Sequence, residues 1–156
     1  MDTKNIFRSD HYIFPLGGFV NMDYKQLVAE AAAAKKNAYV PYSNFRVGAA
    51  LLTCDGEIFT GCNVENASYS LTNCGERTAI FKAVSEGKKK FKAIAISTDT
   101  EEITSPCGPC RQVLIEFGAD IDVIMANVQG EYKVCKALDL LPLAFNPDKL
   151  EEERLR

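Results

Sequence analysis

The sequence predicts an α/β fold in which a mixed five-stranded sheet is sandwiched between helices. Five short segments rich in small and branched apolar residues have the length of buried strands. Segments with helical periodicity precede, separate and follow them, an alternation typical of a sheet covered by helices on both faces. The chain has 156 residues, of which 47% are hydrophobic and 25% charged, so we expect one domain with one core.

The first half of the chain predicts a helix followed by a hairpin. Residues 23–38 place apolar side chains at helical spacing after Asp23, a suitable N-cap, and Pro41 ends the pattern. Two extended segments on either side of a turn with an Asp-Gly pair predict the hairpin: 45–53, 54–57 and 58–62. A polar loop over 63–73 leads to the next helix.

The second half predicts three further strands between helices. A helix over 74–86 and another over 107–117 are each followed by glycine, which commonly terminates helices. A group of leucines at 138–141, just before a proline, provides the last helix of the predicted order. The remaining strands are expected at 91–97, 121–126 and 132–135.

Charge and composition exclude several functional classes. With 18 Lys plus Arg against 21 Asp plus Glu, the net charge is −3, which is unfavourable for binding a nucleic acid polymer. His11, near the terminus, is the only histidine, which argues against a Ser/His/Asp triad or a multi-histidine metal site, so any general base is expected to be a carboxylate. The longest apolar run, 47–52, is far shorter than the about 20 residues that span a bilayer, so no membrane association is expected.

Residues 1–21 are expected to form an N-terminal extension to a catalytic domain over 22–156. An apolar stretch at 12–20 resembles a secretory leader, but Pro15 and two glycines interrupt it and no small-residue cleavage site follows. We therefore interpret the segment as a loose or docked extension. A start of the protein at the internal methionine, Met22, is the alternative.

The six cysteines predict reduced thiols and a cytoplasmic location. They are too sparse for a disulfide scaffold, and two of them form a CxxC pair at 107–110. Cys62 and Cys135 lie on predicted strands without a spaced partner, so we interpret them as core thiols. Cys54, at the hairpin turn, is interpreted as incidental.

Two short motifs carry the chemistry: CGE at 74–76 opens one predicted helix and PCGPC at 106–110 opens the next. Taken singly, they have plainer explanations, a packed thiol beside a surface acid and a redox pair. Taken together, Cys74, Cys107 and Cys110 lie at two helix N-termini, where the helix dipole favours thiolates. Three thiolates and one open position are the ligand set of a catalytic zinc site, whereas a structural site would recruit Cys62 or Cys135.

These motifs resemble those of the small three-cysteine cytidine deaminases, because zinc deaminases have a Cys or His two residues before a Glu and a later P-C-x-x-C. Further matching segments are YSNF at 42–45, GCNVEN at 61–66 and LPLAF at 141–145. The resemblance covers about Met22 to the C-terminus. It implies hydrolytic deamination of cytidine and 2′-deoxycytidine to uridine and 2′-deoxyuridine in pyrimidine salvage, with one Zn²⁺ per subunit.

The same resemblance makes Glu76 the catalytic residue. Zinc with three protein ligands lowers the pKa of its water to roughly 7. Glu76 follows Cys74 by two residues, so it can take a proton from this water and deliver it to the ring N3 and the amino group. Its plainer role is to stabilise the first helical turn, and the two roles are compatible. Arg77 is expected to hydrogen-bond the ligand sulfurs and withdraw charge from them, with a solvated helix arginine as the alternative.

Substrate contacts are predicted partly from pattern and partly from resemblance. Asn63 and Glu65 alternate on an extended stretch, so both side chains point to one face, where they can hold ribose hydroxyls. The resemblance places them at the 3′ hydroxyl, and a solvated loop is the alternative. It also places Phe45 in the pyrimidine pocket, the Gly75 N–H at the base carbonyl, the Ser105 carbonyl at the departing ammonia, and Tyr69 and Phe145 at a neighbouring subunit's site.

The placement of Tyr69 and Phe145 at a neighbouring subunit's site implies a homotetramer with shared active sites. The alternative is that Phe45, Tyr69 and Phe145 are ordinary core aromatics. The chain departs from the family at Gly75 and Pro109, where alanine is common. Neither departure removes a required group, because glycine retains its N–H and proline suits a first helical turn.

Two other functions are compatible with the motifs. The same chemistry can act on a cytidine nucleotide, a free base, an antibiotic with a cytosine ring or cytosines in a polymer. Negative net charge argues against the polymer, and no phosphate-binding motif is present. A structural zinc or redox module without turnover is the third possibility, and it requires a fourth protein ligand or a Cys107–Cys110 disulfide.

Overall fold

The computed structural model describes residues 23–154, so the predicted extension over 1–21 lies outside the described residues. Helices and strands alternate in nearly the predicted order: α1 (Tyr24–Ala34), β1 (Val47–Thr53), β2 (Ile58–Cys62), α2 (Gly75–Ser85), β3 (Phe91–Thr98), α3 (Gly108–Phe117), β4 (Asp122–Ala126), β5 (Tyr132–Lys136), α4 (Ala137–Leu140) and α5 (Pro147–Arg154). Asp23 caps α1 by accepting a hydrogen bond from the Lys25 N–H, as predicted.

The strands form one mixed five-stranded sheet in the order β2-β1-β3-β4-β5. Strands β3 and β4 are parallel, because α3 carries the chain back across the sheet between them, and the other neighbours are antiparallel. The predicted hairpin of β1 and β2 is confirmed, with Ala50 opposite Thr60. The predicted fold class is therefore confirmed.

Helices cover both faces of the sheet. Along β1, Ala49 and Leu51 pack in a cluster with α2 and α3, whereas Ala50 and Leu52 pack against α1. Strands β3 and β4 divide their side chains between the same two clusters. Because both faces are buried, these strands are nearly continuously apolar instead of alternating with polar residues. The sheet is therefore a rigid platform for the start of α2 and α3.

The start of one predicted strand was wrong, the first helix ends at Ala34 and not at 38, and one helix was not predicted. Strand β1 begins at Val47 and not at residue 45, because Asn44 has a φ of 55°, in the left-handed region, and turns the chain just before it. Helix α5 was not predicted because its sequence is polar at almost every position and has no apolar period. Its first turn is stabilised by Asn146, whose side-chain oxygen accepts a hydrogen bond from the Lys149 N–H at 3.1 Å.

No helix among residues 23–154 combines the length and apolar character needed to cross a membrane.

Candidate active site

The three predicted metal ligands come together where the N-termini of α2 and α3 meet. Cys74 is the N-cap of α2 and Cys107 is the N-cap of α3. The Cys74 and Cys107 sulfurs are 3.7 Å apart, those of Cys107 and Cys110 are 3.4 Å apart, and all three lie within 4.8 Å of one another. Two helix starts therefore bring three thiols to one point.

The cluster fits a tetrahedral zinc ion. Zn–S bonds of about 2.3 Å place sulfur ligands about 3.8 Å apart, close to the observed spacing. The cysteines are free, and among the described residues no fourth His, Cys, Asp or Glu joins the group. Cys62 and Cys135 stay outside it, so the donor set has the three ligands and open position of a catalytic site and lacks the closed shell of a structural one.

Hydrogen bonds within the cluster favour thiolate at Cys74. Contacts from Cys110, and then from Arg77 and Cys107, outweigh burial and lower the pKa of the Cys74 thiol to about 5. The same contact with Cys74, together with burial, raises the pKa of Cys110. A negative sulfur is therefore present in the cluster at neutral pH, which prepares it for a cation.

Arg77 provides the positive charge beside this sulfur. Its Nη2 lies 3.5 Å from the Cys74 sulfur and 3.5 Å from the Thr72 carbonyl oxygen. The contact with Cys74 raises the pKa of Arg77 still further, so the guanidinium remains charged. Arg77 thus contacts the Cys74 sulfur, and its withdrawal of charge from a metal ligand stays a prediction.

Glu76 lies in the first turn of α2 and is only 4% exposed. Its Oε2 is buried and has no hydrogen-bond partner among the described residues, an arrangement that destabilises a fold unless a ligand or ion completes it. Burial, and then the negative charge of Cys74, raises the pKa of Glu76 to about 7. A carboxyl group that titrates near neutrality is suited to receive and return a proton.

The start of α2 is held directly against the sheet by glycines. A Cβ at Gly61 would lie 2.4 Å from the Ala79 nitrogen and 2.5 Å from the Gly75 carbonyl oxygen. A Cβ at Gly75 would lie 3.1 Å from the Val47 carbonyl oxygen. The role of Gly61 was missed from sequence, although a glycine inside a strand commonly marks such a close backbone approach.

Asn63 and Glu65 hold the loop over 42–46 and the first residue of β1. The Asn63 side chain accepts a hydrogen bond from the Val47 N–H at 2.9 Å and donates one to the Phe45 carbonyl at 2.7 Å. Glu65 accepts from the N–H groups of Tyr42 and Ser43 and from the Ser43 hydroxyl. Both side chains thus reach the same loop, while their contact with ribose stays a prediction.

The predicted aromatic contacts are on the surface. Phe45 is 37% exposed, Phe145 56% and Tyr69 74%, so the alternative that they are core residues is wrong. The Phe45 backbone is fixed on both sides, because its N–H donates to the Ser43 Oγ at 3.1 Å and its carbonyl accepts from Asn63. Exposed rings at these positions are available to a ligand or to another chain.

Ser105 is exposed, and its hydroxyl accepts a hydrogen bond from Arg111 at 2.8 Å. Arg111 also donates to the carbonyl oxygens of Pro106 at 2.7 Å and Leu140 at 2.9 Å. Arg111 could not be singled out from sequence, because an arginine one residue after a CxxC pair on a helix has no pattern that separates it from a solvated side chain.

Comparisons with known proteins identify the family. Residues 22–126 match the family model described as the cytidine and deoxycytidylate deaminase zinc-binding region. The chain is 52% identical over 130 residues to the cytidine deaminase of Sporosarcina psychrophila, covering 83% of this chain and 96% of that one. It is 50% identical over 132 residues to the cytidine deaminase of Halalkalibacterium halodurans, covering 84% of this chain and 100% of that one.

Solved structures of similar fold point to the same family. The crystal structure of cytidine deaminase from Burkholderia pseudomallei superposes with a TM-score of 0.78 and 53% sequence identity, covering 80% of this chain and 100% of that chain. The cytidine deaminase from Mycobacterium tuberculosis gives a TM-score of 0.71 with 40% identity, covering 80% of this chain and 98% of that one. With its three-sulfur cluster and buried glutamate, the chain belongs to the zinc-dependent cytidine deaminase family.

Proposed function

We propose that this protein is a zinc-dependent cytidine deaminase that hydrolyses cytidine and 2′-deoxycytidine to uridine and 2′-deoxyuridine, with release of ammonia. The observation that carries the proposal is the unpartnered, buried Oε2 of Glu76 beside a three-sulfur cluster. A structural zinc module has no use for a buried carboxylate with one oxygen that has no hydrogen-bond partner among the described residues. A redox pair is also disfavoured, because Cys107 and Cys110 share their cluster with Cys74.

Cys74, Cys107 and Cys110 would hold one Zn²⁺ per subunit, and the bound ion supplies the Lewis acidity that makes water nucleophilic at neutral pH. Glu76 receives the proton of the water that attacks C4 of the pyrimidine and gives it to the ring N3. It then moves the second proton to the exocyclic amine, and cleavage of the C4–N bond releases ammonia. Its pKa of about 7 allows both directions of transfer.

Other residues of the chain bind and orient the nucleoside. The Gly75 N–H, at the start of α2, donates to the base carbonyl, and the Ser105 carbonyl accepts from the departing ammonia. Phe45 covers one side of the pyrimidine, which is supported by its partial exposure and by its fixed backbone. Asn63 and Glu65 read the ribose 3′ hydroxyl, supported by the position of both beside the Phe45 loop.

The catalytic domain is proposed to span 22–156, after an extension over 1–21, and to work in the cytoplasm in pyrimidine salvage. The exposed Tyr69 and Phe145 support a homotetramer in which a neighbouring subunit covers them and each completes that subunit's site. The mass of the purified protein in solution, from light scattering after gel filtration, tests this assembly. A monomer that deaminates cytidine at full rate would overturn the shared-site proposal.

An absorbance assay with purified holoenzyme tests the substrate. We expect turnover of cytidine and 2′-deoxycytidine and much weaker turnover of cytidine monophosphate and of cytosine at equal concentration, with one zinc per chain by metal analysis. Turnover of the monophosphate alone would indicate a nucleotide enzyme. A zinc-loaded protein without turnover of any of the four compounds would contradict the proposal.

A further inference from the structure

The Arg111 side chain hydrogen-bonds two separate segments of the chain, the loop before α3 and the end of α4, close to the three-sulfur cluster. Its Nε donates to the Pro106 carbonyl at 2.7 Å, one terminal nitrogen to the Leu140 carbonyl at 2.9 Å and the other to the Ser105 hydroxyl at 2.8 Å. The planar fork of a guanidinium carries donors on three separate nitrogens, so it reaches acceptors that a single ammonium nitrogen cannot contact together. The loop before α3 and the end of α4 are therefore fixed to one side chain.

The contact with Pro106 has a direct consequence for Cys107. The Pro106 carbonyl belongs to the peptide bond that precedes Cys107, and the main-chain N–H of Arg111 also donates to the Cys107 carbonyl at 3.0 Å. Arg111 thus holds the backbone on both sides of the Cys107 Cα. Since these two peptide planes set the direction of the Cα–Cβ bond, they set where the sulfur lies.

Cys107 depends on such support more than the other two ligands do. Cys110 is fully buried in the core, and Cys74 receives a hydrogen bond from Arg77. Cys107 is exposed, and as an N-cap it makes no side-chain capping bond. Packing alone therefore does not fix its position.

We propose that Arg111 is a positioning residue for the metal site, which orients the Pro106–Cys107 peptide so that the Cys107 sulfur faces Cys74 and Cys110. The inference rests on the proposed function, since it assumes that the three sulfurs bind zinc. Through Leu140, the same side chain makes the geometry of the metal loop dependent on the segment after β5. Replacing Arg111 leaves two carbonyl oxygens without their donor.

The test compares zinc retention by holoenzymes. Arg111→Lys keeps the charge but cannot reach three separated acceptors, and Arg111→Gln removes the charge as well. Ser105→Ala removes only one of the three bonds. Arg154→Gln, at an exposed arginine at the end of α5, is the matched control. Transfer of zinc to a colorimetric chelator gives the zinc affinity at equilibrium and the rate of zinc release from its time course.

We expect both Arg111 variants to bind zinc about 10–100-fold more weakly, as is typical when a residue that supports a metal ligand is lost. Ser105→Ala should lose less and Arg154→Gln nothing. Cobalt-substituted Arg111 variants should also show a shifted thiolate-to-metal charge-transfer band. Zinc affinity and a cobalt spectrum equal to those of the unaltered protein would overturn the inference.

Stability separates positioning from a general structural role. Chemical unfolding of each variant is measured with zinc and after its removal. If Arg111 positions the metal site, the gain in unfolding free energy on zinc binding should be smaller in the Arg111 variants. A merely structural role would lower the unfolding free energy equally with and without zinc, and that result would refute the inference. If the unaltered protein holds zinc and deaminates cytidine while Arg111→Lys binds zinc equally well, only this inference fails. An unaltered protein that binds no zinc overturns the proposed function as well.

Discussion

The two helix N-termini that form the three-sulfur cluster differ in burial. At α2, Gly75 and Glu76 are buried and the helix start presses on the backbone of β1 and β2. At α3, Cys107 and the two residues after it are exposed, and only Cys110 enters the core. The difference shows that the Glu76 side of the three-sulfur cluster is buried in the fold, while the Cys107 side is open to solvent.

Different forces hold the two sides. The α2 side is fixed by close backbone packing through Gly61, which leaves no room for a side chain. The α3 side is fixed by directed hydrogen bonds from Arg111. Packing is insensitive to side-chain chemistry but intolerant of added volume, whereas the hydrogen bonds tolerate volume and depend on one donor group. Variants can therefore disturb each side separately.

The largest expected effect is on catalysis at the α2 side. Glu76→Gln keeps the shape of the side chain but removes the group that accepts and returns protons, so kcat for cytidine should fall by about 10²–10⁴-fold. Zinc content should not change. Glu86→Gln, at an exposed acid at the end of the same helix, is the control and should retain full activity. Full turnover by Glu76→Gln would contradict the assigned mechanism.

A methyl group added to a glycine on each side should change the free energy of unfolding very differently. A Cβ at Gly61 meets backbone atoms at 2.4 and 2.5 Å, so Gly61→Ala should lower the free energy of unfolding by about 1–3 kcal/mol or more. Gly108→Ala is the matched control, because a Cβ there meets nothing within 4 Å. It should be neutral or stabilise by up to about 1 kcal/mol. Urea unfolding measures both, and equal losses would show that the two sides are packed alike.

Gly75→Ala should have a smaller effect than Gly61→Ala. Its Cβ would meet the Val47 carbonyl oxygen at 3.1 Å, so the neighbour has to move by only a few tenths of an ångström. A gain of roughly 0.5–1 kcal/mol from replacing a helical glycine opposes this crowding. The free energy of unfolding, measured with urea, and KM for cytidine should therefore change little. A loss as large as that of Gly61→Ala would mean that the helix start cannot yield at all.

The smallest effect is expected at Asp99, where the loop towards α3 begins. Asp99 pairs with Lys35 at 2.9 Å and Arg46 at 2.7 Å, and these groups are partly exposed. Asp99→Asn should therefore lower the free energy of unfolding by less than about 1 kcal/mol at neutral pH. Arg46→Gln, which removes one of the two pairs, should have about half of this effect.

The Asp99 effect should also depend on pH. Burial opposes ionisation of Asp99, but hydrogen bonds from Lys35 and Arg46 outweigh it and lower its pKa below the ordinary value of 3.8. The stabilisation is therefore complete above this value and is lost as the pH falls through the lower pKa of the folded state. Urea titrations of both proteins at neutral and acid pH measure it. A difference that stays constant with pH would show that the charge of Asp99 is irrelevant.

Much of the architecture was predictable because local patterns and burial agree. The strands predicted at 58–62 and 132–135 and the helices predicted over 74–86 and 107–117 match the structure to within one residue at each end. They follow from apolar periodicity, glycine stops and turn residues. Helix α5 was missed because it carries no apolar period. The loop over 42–46 was assigned in part to a strand, since no pattern announces the left-handed Asn44.

By itself the sequence determined the donor set, which is three thiols and one acid at two helix starts. The spacing of these residues along the chain fixes which side chains each helix start presents. Tertiary structure alone decided how those ends are supported. Gly61 beneath α2, the hold of Asn63 and Glu65 on the Phe45 loop, and Arg111 across the α3 loop join residues far apart in the chain. Such contacts depend on the packed positions of two segments, and periodicity within one segment carries no information about its partner.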